Sequence, residues 1–417
     1  MKRALQSLLD RCIQKGTLTL EFPSGERVTA GDGSGLPLTV KLMDAKATAE
    51  LFFNPQMALG ELFTDGRLQV SGGSVYDLLD LLGRNLHGLT PPQFGRMRIL
   101  LRNTLGRWHL RNSQRRARAN VQYHYDIDDR IYQLFLDPDR QYSCAYFDEP
   151  GQSLDEAQLA KKRHIAAKLL LKPGLSVLDI GSGWGGLALY LADIAGASVT
   201  GLTLSPEQLK VAQRRAGERG LTSQVEFRLE DYRAPRDSFD RIVSVGMFEH
   251  VGLKDYDVYF DTVRRNLKDD GVALIHSIGR MDGRFATNPW FAKYIFPGSY
   301  VPSLAEVFPA IEQSGLIVTD VEILRLHYAD TLAAWRSRFM ARRTEAATVL
   351  DERFCRMWEF YLAAAEAGFR YGGLMVFQIQ LAKTIDAVPR VRSYMSEAED
   401  KLRQREREMQ LSSVAAE

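Results

Sequence analysis

The fold of this chain is decided by the stretch Leu175-Ser176-Val177-Leu178-Asp179-Ile180-Gly181-Ser182-Gly183-Trp184-Gly185-Gly186. An apolar run with β-branched residues ends in an acidic residue and a cluster of glycines, and an apolar-periodic segment follows over residues 187–194. This order predicts a strand, a tight turn and a helix. Glycines allow positive φ and close approach to a ligand, and the N-terminus of a helix presents free N–H groups. The stretch therefore predicts a ligand-binding turn.

Two interpretations compete for the ligand. Gly181, Gly183 and Gly186 match G-x-G-x-x-G, the dinucleotide-binding pattern, but that match alone is weak. The fuller pattern, Asp-x-Gly-x-Gly-x-Gly from Asp179 to Gly185, resembles the first motif of class I S-adenosylmethionine methyltransferases. That resemblance implies that the glycines admit the methionine part of the cofactor. A turn that merely joins a strand to a helix is the remaining alternative, and we favour the cofactor site.

The composition is that of an ordinary globular chain. Its 417 residues are 25% charged and 45% hydrophobic, with a net charge of +2, and the length suggests two or three domains. Cys12, Cys144 and Cys355 are too few and too scattered for a disulfide framework or a zinc site, so we expect no metal and a reducing cytosol. No secretory signal is recognisable, and no apolar run reaches the roughly 18 residues of a membrane span. Membrane contact is therefore expected to be peripheral.

Residues 1–85 are predicted to form a small N-terminal α+β domain. Alternating apolar and polar residues predict strands at 18–22 and 37–42, and helical stretches are predicted at 57–63 and 74–82. The order loosely resembles lipid carriers of the sterol-carrier type. An accessory domain without a ligand fits the same pattern equally well.

The segment from residue 81 to residue 125 is basic and contains no Asp or Glu. Leucines and Trp108 are interleaved with its arginines, as in an interfacial helix on anionic lipid. A solvated linker fits equally well, and nucleic acid ranks third. We describe residues 86–120 as a basic amphipathic linker that binds anionic lipid head groups, and we expect no nucleic-acid partner. The arginines are Arg84, Arg96, Arg98, Arg102, Arg107, Arg111, Arg115, Arg116 and Arg118.

Residues 121–390 are predicted to form an α/β catalytic domain with a doubly wound parallel sheet, followed by a charged tail, residues 391–417, as a frayed helix. Strands at 175–180, 198–204, 225–229, 239–245 and 272–278 alternate with helices, which puts ligands at the carboxyl ends of the strands. An aromatic-rich insertion over 285–300 is predicted to line an acyl-chain channel, with a packed lid as the alternative. Residues 351–384 are predicted to be helical apart from two glycines.

Residues beyond the glycine turn are candidates for the nucleoside of the cofactor. A dinucleotide domain normally ends its second strand with an acid, and Thr203 stands there instead. Gln208 is the nearest polar group able to reach a ribose, and Asp231 would accept from an adenine amino group. The full candidate set is Tyr142, Ser143, Asp179, Gly181, Gly183, Trp184, Thr203, Leu204, Gln208, Asp231 and Tyr232.

Further motifs make the resemblance specific. They are YSCAYF at 142–147, MFEHVG at 247–252, IHSIG at 275–279, KYIFP at 293–297 and HYADTL at 327–332. Over roughly residues 50 to 385 the chain resembles the cyclopropane-fatty-acyl-phospholipid synthase family, which includes the mycolic acid cyclopropane synthases and methyltransferases. The resemblance implies methyl transfer from S-adenosylmethionine to a cis double bond of a phospholipid acyl chain.

The resemblance also implies a bound bicarbonate ion that acts as the base. The matching residues are Cys144, Glu249, His276, the backbone at Ile278, and Tyr328. Bicarbonate needs donors, which His, Tyr and a backbone N–H provide, and Glu249 can accept its hydroxyl proton. The aromatic faces of Tyr142 and Phe147 would stabilise a cation. Each of these residues also has a purely structural interpretation, but together they indicate a site.

Two positions depart from the family pattern. Ser182 stands in the glycine turn where many of the methyltransferases have Cys, and Ala365 stands where some members have a late-helix cysteine. A cysteine nucleophile at that helix is therefore excluded.

We expect a cytoplasmic enzyme, peripheral on the inner face of the membrane, that makes cyclopropane fatty acids, and the sequence leaves a homodimer open. A lipid C-methyltransferase with a methyl-branched or methylene product is the nearest alternative, and a non-catalytic lipid-binding protein is a remote one.

Overall fold

A computed structural model describes residues 2–86, 128–283 and 287–414 of the chain. The first range forms a small α+β domain in which, among those residues, four strands make one sheet in the order β2-β1-β3-β4. Its elements are α1 (Lys2–Cys12), β1 (Thr17–Glu21), β2 (Arg27–Ala30), β3 (Pro37–Leu42), α2 (Ala45–Phe53), α3 (Pro55–Thr64), β4 (Leu68–Ser71) and α4 (Val75–Leu86).

The sequence predicted β1, β3, α3 and α4 and missed the other elements of this domain. The strands β2 and β4 have four residues each, too few for periodicity to distinguish them from loops. Helix α2 did carry a local signal, because Asp44 is its N-cap and accepts a hydrogen bond from the N–H of Ala47 at 2.8 Å. The α+β character of the domain is confirmed.

The other described residues form a larger α/β domain. Its elements are α5 (Asp129–Phe135), α6 (Leu154–Lys168), β5 (Ser176–Ile180), α7 (Gly186–Asp193), β6 (Ser198–Thr203), α8 (Pro206–Glu218), β7 (Val225–Leu229), β8 (Phe239–Val245), α9 (Tyr256–Asn266), β9 (Leu267–Arg280), α10 (Pro289–Tyr294), α11 (Leu304–Ser314), β10 (Ile317–Ile323), α12 (His327–Ala341), α13 (Arg343–Val349), α14 (Glu352–Tyr371), β11 (Leu374–Ala382) and α15 (Ser393–Val414).

Within the described residues, a seven-stranded sheet has the order β10-β11-β9-β8-β5-β6-β7. The five predicted strands, β5 to β9, are confirmed and run parallel. Strands β10 and β11 were not predicted, and β11 lies antiparallel to both of its neighbours, so the sheet is mixed rather than wholly parallel.

The predicted helix over residues 351–384 is wrong in its second half. Helix α14 ends at Tyr371, Gly373 takes a φ of +69°, and the residues after it form β11. The segment Leu374–Ala382 is apolar almost throughout, and a continuous apolar run does not distinguish a buried strand from a helix. The tertiary position of β11, between β9 and β10, decides its conformation.

Helices cover both faces of the sheet. One face packs against α9 and α11, and the other packs against α6, α7, α8 and α15. The strand order reverses between β5 and β8, and such a switch point opens a crevice at the carboxyl ends of the strands. Gly181 follows β5 and Gly246 follows β8, so both lie at that crevice.

The charged C-terminal segment is packed rather than frayed. Helix α15 lies against α6, and the buried carboxylate of Glu406 accepts hydrogen bonds from Arg163 Nη2 at 2.9 Å and from Tyr190 Oη at 2.6 Å. Residues 415–417 lie outside the described part of the chain.

The smaller domain contacts α14 of the larger one. Tyr371 Oη donates to Asp80 at 2.6 Å, and Arg356 Nε donates to the backbone oxygen of Thr64 at 2.9 Å.

Arg84 pairs with Asp80 at 2.7 Å, but residues 87–127, which hold the other arginines of the predicted lipid-binding segment, lie outside the described residues. None of the described helices combines the length and the apolar character needed to cross a membrane.

Candidate active site

A cleft opens at the carboxyl ends of β5 to β8. It is lined by residues 179–184 at the end of β5 and in the turn after it, by residues 203, 204 and 208 at the end of β6 and beyond it, and by residues 230–233 after β7. Residues 140–143, from the loop before α6, form another wall. The structure therefore brings all eleven predicted cofactor residues to one cleft, namely Tyr142, Ser143, Asp179, Gly181, Gly183, Trp184, Thr203, Leu204, Gln208, Asp231 and Tyr232. Their binding roles stay a prediction.

The glycine turn needs its glycines for steric reasons. Gly181 has a φ of +88°, and a Cβ at this position would lie 2.8 Å from the Cβ of Met247. The N–H groups of Gly181 and Ser182 both donate to the backbone oxygen of Leu202, at 3.0 and 2.8 Å. These hydrogen bonds fix the turn against β6 and leave its ligand-facing side open to the cleft.

Asp179 carries the electrostatic signature of a cation site. Its side chain is 1% exposed, and within the described residues its Oδ2 atom has no hydrogen-bond partner. Burial raises the pKa of this carboxyl to about 7. A buried carboxylate without a partner is costly, so it favours a cationic ligand. S-adenosylmethionine carries a sulfonium and an ammonium group, and the residues therefore fit it.

The nucleoside side of the cleft contains hydrogen bonds that the sequence did not predict. Thr203 Oγ1 donates to Gln208 Oε1 at 2.9 Å, which orients the amide of Gln208. Both oxygens of Asp231 are already bound by Arg233, at 2.7 and 2.8 Å. An adenine amino group at Asp231 would therefore share this carboxylate with Arg233, a cleft residue that sequence reasoning missed.

The predicted bicarbonate residues fall into two groups behind the cleft. Glu249 Oε1 accepts a hydrogen bond from the N–H of Ile278 at 2.7 Å. His276 lies two residues before Ile278 on β9, so the two residues share one face of the sheet. This N–H orients Glu249, and the role of the Ile278 backbone in holding bicarbonate stays a prediction.

The second group is Cys144 and Tyr328. The N–H of Ala145, next to Cys144, donates to Thr331 Oγ1 at 3.0 Å. Thr331 lies one turn after Tyr328 in α12, so the Cys144 loop docks on the helix that carries Tyr328. The buried Lys161 of α6 lies beside the second group, because its Nζ donates to Ser143 Oγ, next to Cys144, at 2.7 Å. Sequence reasoning missed Lys161.

Burial sets the protonation states of this cluster. It raises the pKa of Glu249 to about 7, and Glu249 Oε2 has no hydrogen-bond partner within the described residues. Burial lowers the pKa of His276 to about 3, so its imidazole is neutral. Burial also raises the pKa of the Cys144 thiol, which argues against a thiolate. An unpartnered buried carboxylate oxygen can accept a hydroxyl proton, so the cluster fits a bicarbonate ion.

Aromatic side chains connect the cleft to the insertion after β9. Tyr142 Oη lies 2.7 Å from Tyr361 Oη, and the Tyr361 ring contacts Phe291 and Phe296 with centroids 6.0 and 5.8 Å apart. Trp290 is buried against Gly60 of α3 and Phe360. This packing is what the alternative of a packed lid predicts for this residue.

Two other aromatic residues of the predictions lie outside the cleft wall or outside the described residues. Phe147 is not part of the cleft wall and lies beside His327, with ring centroids 6.2 Å apart. Its role in stabilising a cation stays a prediction. Phe285 lies outside the described residues.

The doubly wound sheet, the glycine turn at its switch point and the buried acid beside that turn define a class I S-adenosylmethionine-dependent methyltransferase. The sequence also matches a family model, described as mycolic acid cyclopropane synthetase, over residues 112–379. The chain belongs to that family.

Individual relatives agree with this assignment. A cyclopropane-fatty-acyl-phospholipid synthase from Escherichia coli K12 is 40% identical over 330 residues, which cover 79% of this chain and 84% of the relative. A tuberculostearic acid methyltransferase from Mycobacterium tuberculosis is 34% identical over 389 residues, 90% of each chain. A crystal structure of a mycolic acid cyclopropane synthase complexed with SAH and CTAB is 34% identical, with a TM-score of 0.61 over 63% of this chain and 97% of that one.

Proposed function

We propose that this methyltransferase is a cyclopropane fatty acid synthase. It would transfer a methylene group from S-adenosylmethionine to the cis double bond of an unsaturated phospholipid acyl chain. The observation that carries the proposal is the buried Glu249 carboxylate, held by the Ile278 N–H with its second oxygen unpartnered. The 40% identity to a cyclopropane-fatty-acyl-phospholipid synthase supports the same reaction.

The chain supplies positioning and a site that tolerates positive charge. When bound, S-adenosylmethionine provides an electrophilic methyl group, and bicarbonate provides a base for the proton lost when the ring closes. Asp179 would hold the cationic part of the cofactor against the glycine turn. The ring of Tyr142, fixed by Tyr361 and stacked on Trp335 at 5.2 Å, offers an aromatic face to positive charge on the acyl chain. An alkene is a weak nucleophile, so such placement matters more than activation.

The cluster behind the cleft would hold the proton acceptor. Glu249 Oε2 is available to accept the bicarbonate hydroxyl proton, and Ile278 keeps the glutamate in place through its N–H. The imidazole of His276 stays neutral, so it can donate one hydrogen bond without carrying charge. The hydroxyl of Tyr328 and the Cys144 segment would complete the site. Water is kept out because Cys144, Glu249, His276 and Tyr328 are all buried.

Product analysis tests the proposal. The purified full chain is incubated with vesicles of cis-monounsaturated phospholipid and isotopically labelled S-adenosylmethionine. The lipids are then analysed by mass spectrometry after a derivatisation that distinguishes rings from double bonds. We expect a labelled acyl chain one CH₂ heavier, with a ring and no remaining double bond. Absence of label from the lipid would contradict the proposal.

A methyl-branched or methylene product is the second candidate. It shares the initial methyl addition, and the relative named tuberculostearic acid methyltransferase, at 34% identity, favours keeping it. The two products differ in where the proton is lost after methyl addition. In the same assay, a labelled branch without a ring would assign this second function.

We further propose that the enzyme works in the cytoplasm as a peripheral protein on the inner face of the membrane, because a phospholipid substrate lies there. The arginines from Arg84 to Arg118 supply the charge for anionic head groups. Homodimer formation stays a prediction, and sedimentation equilibrium of the full chain measures it.

A further inference from the structure

A buried lysine behind the cleft takes no part in the function proposed above. Lys161 of α6 has a side-chain exposure of 0%, and its Nζ donates to Ser143 Oγ at 2.7 Å. Ser143 lies in the wall of the cleft. Within the described residues, the Lys161 ammonium forms no ion pair with a carboxylate, so a positive charge is buried beside a neutral hydroxyl.

The acidic residues around Lys161 are engaged elsewhere. Asp137 accepts hydrogen bonds from the N–H groups of Gln141 and Asp139, at 2.7 and 3.0 Å. Asp139 itself pairs with Lys162 and with Arg215. Burial lowers the pKa of Lys161 to about 7, although Asp137 and Cys144 oppose this shift. A buried ammonium group without an ion-paired carboxylate is costly, so an anion that binds close to Lys161 would stabilise its charged form.

Two observations indicate where that anion binds. Because the ammonium group donates to the Ser143 hydroxyl, that hydroxyl has its own proton available to donate toward the cleft. Ser143 is also next to Cys144 in the chain, and Cys144 belongs to the cluster behind the cleft. Lys161 is therefore close both to the Ser143 wall of the cleft and to the cluster behind it.

We propose that Lys161 is a positioning residue that stabilises a bound carboxylate-type anion through the hydroxyl of Ser143. Two ligands have this chemistry, namely the amino-acid carboxylate of S-adenosylmethionine and bicarbonate. If the anion is bicarbonate, the inference rests on the proposed function. If the anion is the cofactor carboxylate, it requires only the assignment as a methyltransferase.

The loop that carries Ser143 has a second attachment, which makes substitution informative. Gln158 Nε2 of α6 donates to the backbone oxygen of Ser143 at 3.0 Å and to that of Gln141 at 3.3 Å. Lys161→Met keeps most of the buried apolar volume and leaves these hydrogen bonds in place. The substitution therefore removes the charge while the loop stays attached to α6.

The experiment compares wild type, Lys161→Met and Ser143→Ala with the control Lys210→Met, which removes a lysine 70% exposed on α8. Calorimetry on the full chain measures the Kd of S-adenosylhomocysteine and of 5′-methylthioadenosine, which lacks the amino-acid part. If the anion is the cofactor carboxylate, we expect at least about a tenfold rise in Kd for the first ligand in both variants, as for loss of one charge-assisted hydrogen bond. The Kd of the second ligand stays within about twofold, and Lys210→Met changes neither.

A kinetic arm addresses the bicarbonate source. Turnover is measured in carbonate-depleted buffer as bicarbonate is added back. If bicarbonate is the anion, the half-saturating concentration rises at least about tenfold in Lys161→Met while both Kd values hold. If turnover of the wild type does not depend on bicarbonate, the bicarbonate part of the proposed function is wrong. The role of Lys161 is then tested by the Kd measurements alone.

Two results would overturn the inference. One is a Lys161→Met enzyme with unchanged Kd values and an unchanged bicarbonate response. The other is an equal weakening of both nucleosides together with a lower Tm, which is the result of a purely structural role. If Lys161→Met does not fold, Lys161→Gln, which keeps a donor for the Ser143 hydroxyl but carries no charge, replaces it in both measurements.

Discussion

Asp179 and Glu249 share one physical feature. Each is a buried carboxyl group with one oxygen that has no hydrogen-bond partner in the described residues, and burial raises the pKa of each to about 7. Asp179 belongs to the cleft wall, whereas Glu249 lies behind it and is held by a backbone N–H. The same side-chain chemistry is therefore available for a cation at the first position and for a donated proton at the second.

Asp179 gives a prediction about pH. A carboxyl group with a pKa raised to about 7 is mostly protonated below that pH and mostly ionised above it, and only the ionised form attracts the cofactor ammonium. At each pH, the affinity of the wild type for S-adenosylhomocysteine is divided by the affinity of Asp179→Asn. This ratio should rise about tenfold from about pH 6 to about pH 8. Calorimetry measures it, and groups common to both proteins, such as Lys161, cancel in the ratio. A constant ratio would contradict the role of Asp179.

Glu249 gives a prediction about turnover. Glu249→Gln preserves the acceptor for the Ile278 N–H but cannot take up a proton, so the fold and the cleft stay intact. We expect an S-adenosylhomocysteine Kd within about twofold of wild type and turnover at least about 100-fold lower. Glu207→Gln, which changes a glutamate 67% exposed on α8, is the matched control. Full activity in Glu249→Gln would falsify the role assigned to it.

Among the elements, α15 is the helix whose packing the sequence did not predict. Its sequence is highly charged and predicts a frayed helix, yet the side chain of Glu406 is only 7% exposed. Its partner Arg163 on α6 is 9% exposed. The ion pair holds α15 against α6, one of the helices that cover the sheet, because a buried guanidinium group needs a carboxylate.

Glu406→Gln is therefore expected to destabilise the protein. The amide keeps an oxygen for the Tyr190 hydroxyl, but among the described residues it leaves the buried Arg163 with Asp148, 3.5 Å away, as its remaining anionic partner. We expect a loss of about 3 kcal/mol in the free energy of unfolding, the size found when one member of a buried ion pair is removed. Urea denaturation measures it, with the exposed Glu408→Gln on the same helix as the control. Equal stabilities would mean that α15 does not depend on this pair.

At the scale of the whole molecule, the two domains share one hydrophobic core. A single cluster of buried side chains runs from Leu18 and Leu62 of the small domain to Trp358 and Tyr361 of α14, next to the cleft. The segment that connects the domains carries the arginine-rich stretch, so a membrane contact there would lie close in sequence to the catalytic domain.

The arginine-rich stretch gives a prediction about lipid binding. We expect simultaneous substitution of Arg98, Arg102, Arg107 and Arg111 by Gln to lower binding to anionic vesicles at least about tenfold, because each arginine near the surface contributes about 1 kcal/mol. Co-sedimentation with anionic and neutral vesicles measures it, and raised salt should weaken the wild type similarly. Affinity for S-adenosylhomocysteine should not change. Unaltered sedimentation would favour a plain linker, and a gel shift on DNA and RNA tests the nucleic-acid alternative.

The sequence by itself determined the central sheet and the position of the cofactor cleft. Strands β5 to β9 and the turn at Gly181 follow from local periodicity and a glycine cluster. The cofactor candidates, from Asp179 to Asp231, meet because parallel strands bring their carboxyl ends to one edge. Local pattern and a single topological rule were sufficient for these features.

Only the tertiary structure decided the contacts between segments distant in sequence. Glu406 and Arg163 are 243 residues apart, and Arg353 reaches Asp65 across 288. The antiparallel course of β11, the hydrogen bond from Ile278 to Glu249 and the buried charge of Lys161 beside Ser143 likewise depend on packing. Burial turns an ordinary charged residue into one that requires a specific partner, and burial is a property of the folded chain rather than of any local window of sequence.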